Sequence, residues 1–150
     1  MGEKINKDLG VNNYCFGCGE ENPIGAKLDF YKISDNSLKS TFTIPLTWGG
    51  WGDIAHGGLQ TVLLDEVSGW SIISLLDKYA LTINLQMKFF KPIYVGETIV
   101  AVSKIENIQG RNITVKSSLN NENGDECTKG IFVFREVGKE KIERLIRKNS

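Results

Sequence analysis

Residues 54–77 carry apolar side chains on more than one side of a helical wheel, a pattern that predicts a helix enclosed by other structure rather than one lying on a surface. Around it the pattern changes to alternation. Leu28 and Phe30 through Ile33 predict a first strand, and Leu38, Ser40, Phe42 and Ile44 a second, with Ser34-Asp35-Asn36 turning between them and Pro45 ending the pair. Residues 81–90, 98–108, 112–119 and 127–134 predict four more strands. Gln109-Gly110 and residues 120–125 have the composition of hairpin turns, so the last three strands are expected to form an antiparallel meander. Two strands, one buried helix and four strands make an α+β arrangement, an antiparallel sheet with one principal helix to cover it. Residues 2–25 lack periodicity and read as an ordered arm or lid, and residues 139–148 as a short basic helix whose apolar stripe is Ile142, Leu145 and Ile146.

Composition narrows this picture. At 150 residues and 41% hydrophobic content, one core is possible and two ordinary domains are not. The expectation is a single domain over residues 1–150, with an arm (1–25), the central helix (54–77) and a carboxy-terminal extension (137–150). Eighteen basic residues balance eighteen acidic ones, so no nucleic acid footprint is visible. No stretch reaches the roughly 18 apolar residues of a membrane span, and residues 1–10 are polar and unlike a secretory signal, which together predict a cytoplasmic protein without a membrane partner. Three cysteines, an odd number, argue against a disulfide framework.

The candidate chemistry gathers at the start of the predicted helix. His56-Gly57-Gly58 stands there, and the first N–H groups of a helix have no partner within it and sit at the positive end of its dipole. They are suited to holding an oxygen that gains negative charge. Gly57 is the preferred donor, helped by Gly58. Asp65 and Glu66 follow in oily surroundings, where a carboxylate needs a reason. Asp65 shares its side of the helix with Gly58, Thr61 and Gly69, which leaves room for a substrate and makes it the candidate base or nucleophile. Glu66 falls on the oiliest stripe, suited to a buried hydrogen bond or to the substrate's flank. Eight residues of helix put Gly57 about 12 Å from Asp65, too far for one carbonyl to meet both. A symmetric dimer, with the helix start of one subunit facing Asp65 of the other, resolves the conflict. In the plainer alternative both carboxylates are structural.

The remaining candidates are weaker. Cys15 and Cys18 have the spacing of half a zinc site or a redox pair, but Cys127 and His56 are remote in sequence, so no metal is expected and the glycines point to a tight turn with small thiols. Trp48 and Trp51 flank a glycine loop and are candidates to line the substrate pocket, Trp70 reads as core, and Arg111 is the cation best placed to meet phosphates. His56, the only histidine, is expected to fix the loop by hydrogen bonding rather than to act as a base.

Residues 56–66 (HGGLQTVLLDE), ending in Gly69-Trp70, resemble the helix signature of the hotdog-fold thioesterases, in particular the PaaI-like acyl-CoA thioesterases. Cys15-Phe16-Gly17-Cys18-Gly19 with residues 22–25 (NPIG) is similar to the amino-terminal motif of one branch, and residues 91–97 (KPIYVGE) to its strand-ending turn. The resemblance spans residues 14–136. It implies a curved antiparallel sheet wrapped on the central helix, homodimers often paired into tetramers, and hydrolysis of an acyl-CoA thioester with no cofactor beyond the coenzyme A of the substrate. The family's catalytic acid lands on Asp65 and its oxyanion donor on Gly57. One departure is visible: the Asn or Gln that relatives place six or seven residues before the histidine is Gly50 or Gly49 here. Two other functions stay open, a hydratase or dehydratase of acyl thioesters using His56 as base, and a non-catalytic acyl-CoA-binding sensor.

Overall fold

The structure, a computed structural model, describes residues 2–147, with Arg147 by its backbone alone. In chain order the elements are β1 (Tyr31–Ser34), β2 (Ser37–Thr43), a 3-10 turn (Leu46–Trp48), α1 (Gly57–Leu76), β3 (Tyr79–Phe89), β4 (Thr98–Gln109), β5 (Asn112–Asn120), β6 (Glu126–Val137) and α2 (Lys139–Arg147). The predicted tail helix is therefore present, while Lys148 lies outside the described residues, as do Met1 and residues 149–150 of the expected outer bounds.

The strands form one antiparallel sheet in the order β1-β2-β4-β5-β6-β3. Alternation explains its buried face: Leu38 and Ser40 on β2, Ile99, Ala101 and Ser103 on β4, Ile113, Val115 and Leu119 on β5, and Phe132 and Phe134 on β6 all point inward. Helix α1 packs across β2 to β6 and fills that concavity with Leu63, Leu64, Val67, Trp70 and Ile72. Ser103 fastens the two layers, its hydroxyl donating 3.0 Å to the Val67 carbonyl. The meander of β4, β5 and β6 is as expected, turning at Gly110 with a φ of 61° that glycine adopts without strain.

Helix α1 begins three residues later than the pattern predicts. Ile54 and Ala55 are held extended, Ile54 bridged to Tyr94 and Ala55 to Gly49, and the chain turns into the helix only at His56. At the far end Asp77 takes the left-handed conformation (φ 52°) that commonly stops a helix.

The two sheet edges are treated differently. Along β1 the amino-terminal arm adds its own backbone, with Lys32 N–H donating to Glu3 and Ile5 N–H to Phe30, so that edge is covered. The β3 edge is bare among the described residues. Its 11 residues pair only with β6, and Leu81, Ile83, Leu85 and Phe89 are 46%, 51%, 43% and 53% exposed.

Further along, the arm folds onto α1 through residues 15–19. A Cβ at Gly17 would overlap the Glu66 side chain, so only glycine lets the turn sit on the helix. Gly17→Ala is accordingly expected to cost about 1–3 kcal/mol through overpacking, read as a lower midpoint in chemical denaturation.

Candidate active site

The helix mouth can be accounted for amide by amide. His56 is the N-cap: its Nδ1 accepts the Gly58 N–H at 3.0 Å, and its carbonyl accepts Leu59 and Gln60 at 3.1 and 3.0 Å. Of the first four helical amides only Gly57 N–H is left without an acceptor among the described residues. The expected assistance from Gly58 is thus not available, because the histidine has taken that donor. His56 fixes the loop as expected, although its ring is exposed.

A buried network seats this mouth. Gln60 Nε2 donates 3.0 Å to the Ala55 carbonyl while its Oε1 accepts the Thr128 hydroxyl at 2.6 Å, and His56 N–H reaches the Trp48 carbonyl at 2.8 Å. The polar character of Gln60 within an apolar stretch was its only sequence signal; its partner Thr128 is 68 residues away. Thr61, expected beside the substrate, instead donates its hydroxyl to the Gly57 carbonyl at 2.9 Å, back-bonding within the first turn.

Asp65 sits two turns on, facing the bare edge. Thr82, near the start of β3, donates its hydroxyl to Asp65 Oδ1 at 2.7 Å. Burial raises the Asp65 pKa above the ordinary carboxylate range, the Thr82 bond opposes that rise, and Cys15 adds to it. Sequence reading missed Thr82, whose threonine in a strand reads only as strand propensity. Asp65 and Thr82 line a cleft of about 230 Å³ whose apolar walls include Leu9, Trp70, Ile73, Leu81 and Phe134. At the other end of β3, Phe89 lies 3.4 Å from where a Gly57 side chain would begin. The two candidate groups therefore flank the same exposed strand at opposite ends.

Cys15, Cys18 and Glu66 also line the cleft, their ligating atoms within 4.8 Å of one another. A hydrogen bond of 3.2 Å joins Cys15 Sγ to Glu66 Oε1. The neighbouring Cys18 thiol holds Cys15 down at about 5, while Cys15 and burial push Cys18 up. Burial, reinforced by Cys15, raises Glu66 to about 8. Glu66 thus makes a hydrogen bond as expected, half-buried rather than buried, and its partner is a thiol from the arm.

Three expected binding residues fall elsewhere. Trp48 is buried in the core, its ring centroid 5.0 Å from Phe42 and 6.1 Å from Phe16, so it does not line the cleft. Trp51 is 91% exposed at the tip of the glycine loop. Arg111 sits in the β4–β5 turn and is not among the cleft's lining residues. Trp70 is core as expected, stacked on Phe30 at 5.4 Å. Gly50 and Gly49 stay within the loop, Gly50 N–H donating to Ile54 and Gly49 bridging Ala55.

Comparison with known proteins agrees with this architecture. The chain is 27% identical over 104 residues to an uncharacterized protein of Schizosaccharomyces pombe, covering 66% of this chain and 59% of that protein. It is 29% identical over 90 residues to the mouse acyl-coenzyme A thioesterase THEM4, covering 60% of this chain and 38% of that one, so it spans less than two thirds of either curated relative. A Streptococcus mutans protein solved with acetyl CoA superposes with a TM-score of 0.70 at 21% identity, over 75% of this chain and 90% of its own. The Escherichia coli PaaI protein does so with 0.70 at 15%, over 75% and 81%. These likenesses identify the curved sheet on its central helix as the hotdog fold. The family model described as the thioesterase superfamily matches residues 52–128, just over half the chain and the stretch that holds the capped helix mouth, Asp65 and Thr82, and on that match the protein belongs to the thioesterase superfamily.

Proposed function

We propose that this protein hydrolyses an acyl-CoA thioester at two equivalent sites of a homodimer. The observation that carries the reading is the bare β3 edge, with Gly57 beside one end of it and Asp65 bonded to the other. An antiparallel pairing of β3 with its two-fold copy, centred near Leu85 and Gln86, sets the Thr82 end of one strand against the Phe89 end of the other. Gly57 of one subunit then faces Asp65 of the partner subunit. The pairing also covers the exposed leucine, isoleucine and phenylalanine side chains, which an unpaired edge would leave as an aggregation hazard.

The chemistry follows from that arrangement. The thioester carbonyl oxygen points at Gly57 N–H, where the helix dipole and the one unengaged amide stabilise the charge that develops on it. Asp65 of the partner subunit takes a proton from water, or attacks the carbonyl carbon to form a mixed anhydride that water opens; either route ends in free acid and coenzyme A thiol. Thr82 holds the carboxylate in place. The apolar walls of the cleft suit an acyl chain, and both THEM4 and the acetyl CoA-bound streptococcal protein support coenzyme A as its carrier.

The test is release of free thiol from a panel of acyl-CoAs by the purified protein. Turnover of at least one short or medium acyl-CoA is the expected outcome. Tight binding with no thiol release would instead support a sensor, and a change in enoyl absorbance without thiol would support a hydratase.

A further inference from the structure

We propose that Cys15, Cys18 and Glu66 form a binding site for one thiophilic divalent cation of the zinc class, which ties the amino-terminal arm to helix α1 beside the cleft. The site shares the lining of the cleft with Asp65, but its test is independent of turnover.

The three donor atoms lie close enough together to share one ion. Sulfur and oxygen ligands at about 2.0–2.3 Å from zinc lie roughly 3.3–3.8 Å apart. Here Cys15 Sγ and Glu66 Oε1 are already 3.2 Å apart, and all three donor atoms fall within 4.8 Å. Water from the cleft takes the fourth position, a coordination that zinc accepts.

Charge makes the same argument. Two thiols and a carboxylate converge, and among the described residues the cleft that they line holds no lysine or arginine, its other ionisable group being Asp65, a further acid. Lys4 and Lys7 border Cys18 from a second pocket, but none of the ion pairs among the described residues reaches the cluster. Acids brought together in a half-buried cleft are unfavourable, and a divalent cation removes that cost.

The turn that carries both thiols is fixed in place, closed by Gly19 N–H donating 2.8 Å to the Cys15 carbonyl. Cysteine and histidine spacing does not reveal the third ligand, because it is a carboxylate, delivered by the helix 51 residues away.

Reduced full-length protein, freed of metal, is to be titrated anaerobically with Zn²⁺ against a chromophoric chelator, and with Co²⁺ as a spectroscopic probe. We expect one equivalent of Zn²⁺ and, with Co²⁺, tetrahedral d–d bands together with sulfur-to-metal charge transfer of two-thiolate intensity. Loss of an outer partner alone costs about 10–100-fold in metal affinity, so Cys15→Ser and Cys18→Ser should each weaken Zn²⁺ by at least about 100-fold. Glu66→Gln should weaken it and shift the d–d bands while keeping the charge-transfer intensity. Cys127→Ala, which removes the remaining thiol, should change nothing. Wild-type protein that binds Zn²⁺ no better than Cys15→Ser, or a Co²⁺ spectrum without thiolate charge transfer, would overturn the assignment even if a variant failed to fold. A spectrum unmoved by Glu66→Gln would overturn the role of the carboxylate.

Discussion

Gly57→Pro is expected to fold like the wild type and to lose about 10²–10³-fold in acyl-CoA turnover, the range found when one oxyanion donor is removed. Proline is ordinarily a destructive change in a helix, but Gly57 is its first residue, where proline is favoured and its fixed φ is already helical. The residue before a proline must be extended, and His56 is, at φ −60° and ψ 130°. No hydrogen bond is sacrificed within the protein, because Gly57 N–H donates to none. The substitution therefore deletes one donor and little else. Far-UV circular dichroism should be unchanged and the loss should fall on kcat rather than KM, since the amide matters most when charge has moved onto the oxygen. Undiminished turnover would remove Gly57 from the mechanism.

Asp65→Asn should lower kcat by about 10²–10⁴-fold, the contribution typical of a positioned general base. The amide keeps the volume of the acid and can still accept the Thr82 hydroxyl, so stability should hold. The two variants together test the dimer. If each site takes its amide from one subunit and its acid from the other, a mixed dimer of Gly57→Pro and Asp65→Asn chains contains one intact site and one doubly damaged site. Random mixing makes half the dimers mixed, so the unfractionated pool should return to about a quarter of wild type and the mixed dimer itself to about half. Coexpression with two affinity tags, followed by thiol-release measurement on the doubly tagged species, reads the latter directly. Mixed dimers no more active than their parents would place the site within one chain.

Much of this was legible in the residues themselves. Alternation located all six strands, and the span free of alternation located the helix, because these periods belong to consecutive residues and need no distant partner. The helix start was placed three residues early: Ile54 and Ala55 look helical by composition but are held extended by Tyr94 and Gly49. Asp65 stands out in the sequence as a carboxylate with small neighbours, yet what it bonds to, Thr82, is not visible there. Nor were the roles of the tryptophans. Trp48 and Trp51 are three residues apart in one glycine loop, and only Phe16 and Phe42, from the arm and β2, decide that the first is core and the second solvent-exposed.

Residue order by itself determined the elements, the central helix with its glycine mouth, and the acid two turns beyond, since each depends on local periodicity and local chemistry. Tertiary structure alone decided that β3 is an uncovered edge, that His56 takes the Gly58 amide and leaves Gly57 as the one available donor, and that Glu66 meets two thiols from the arm. Those outcomes follow from which distant segments bury one another, and burial between residues tens of positions apart leaves no periodic trace in either segment.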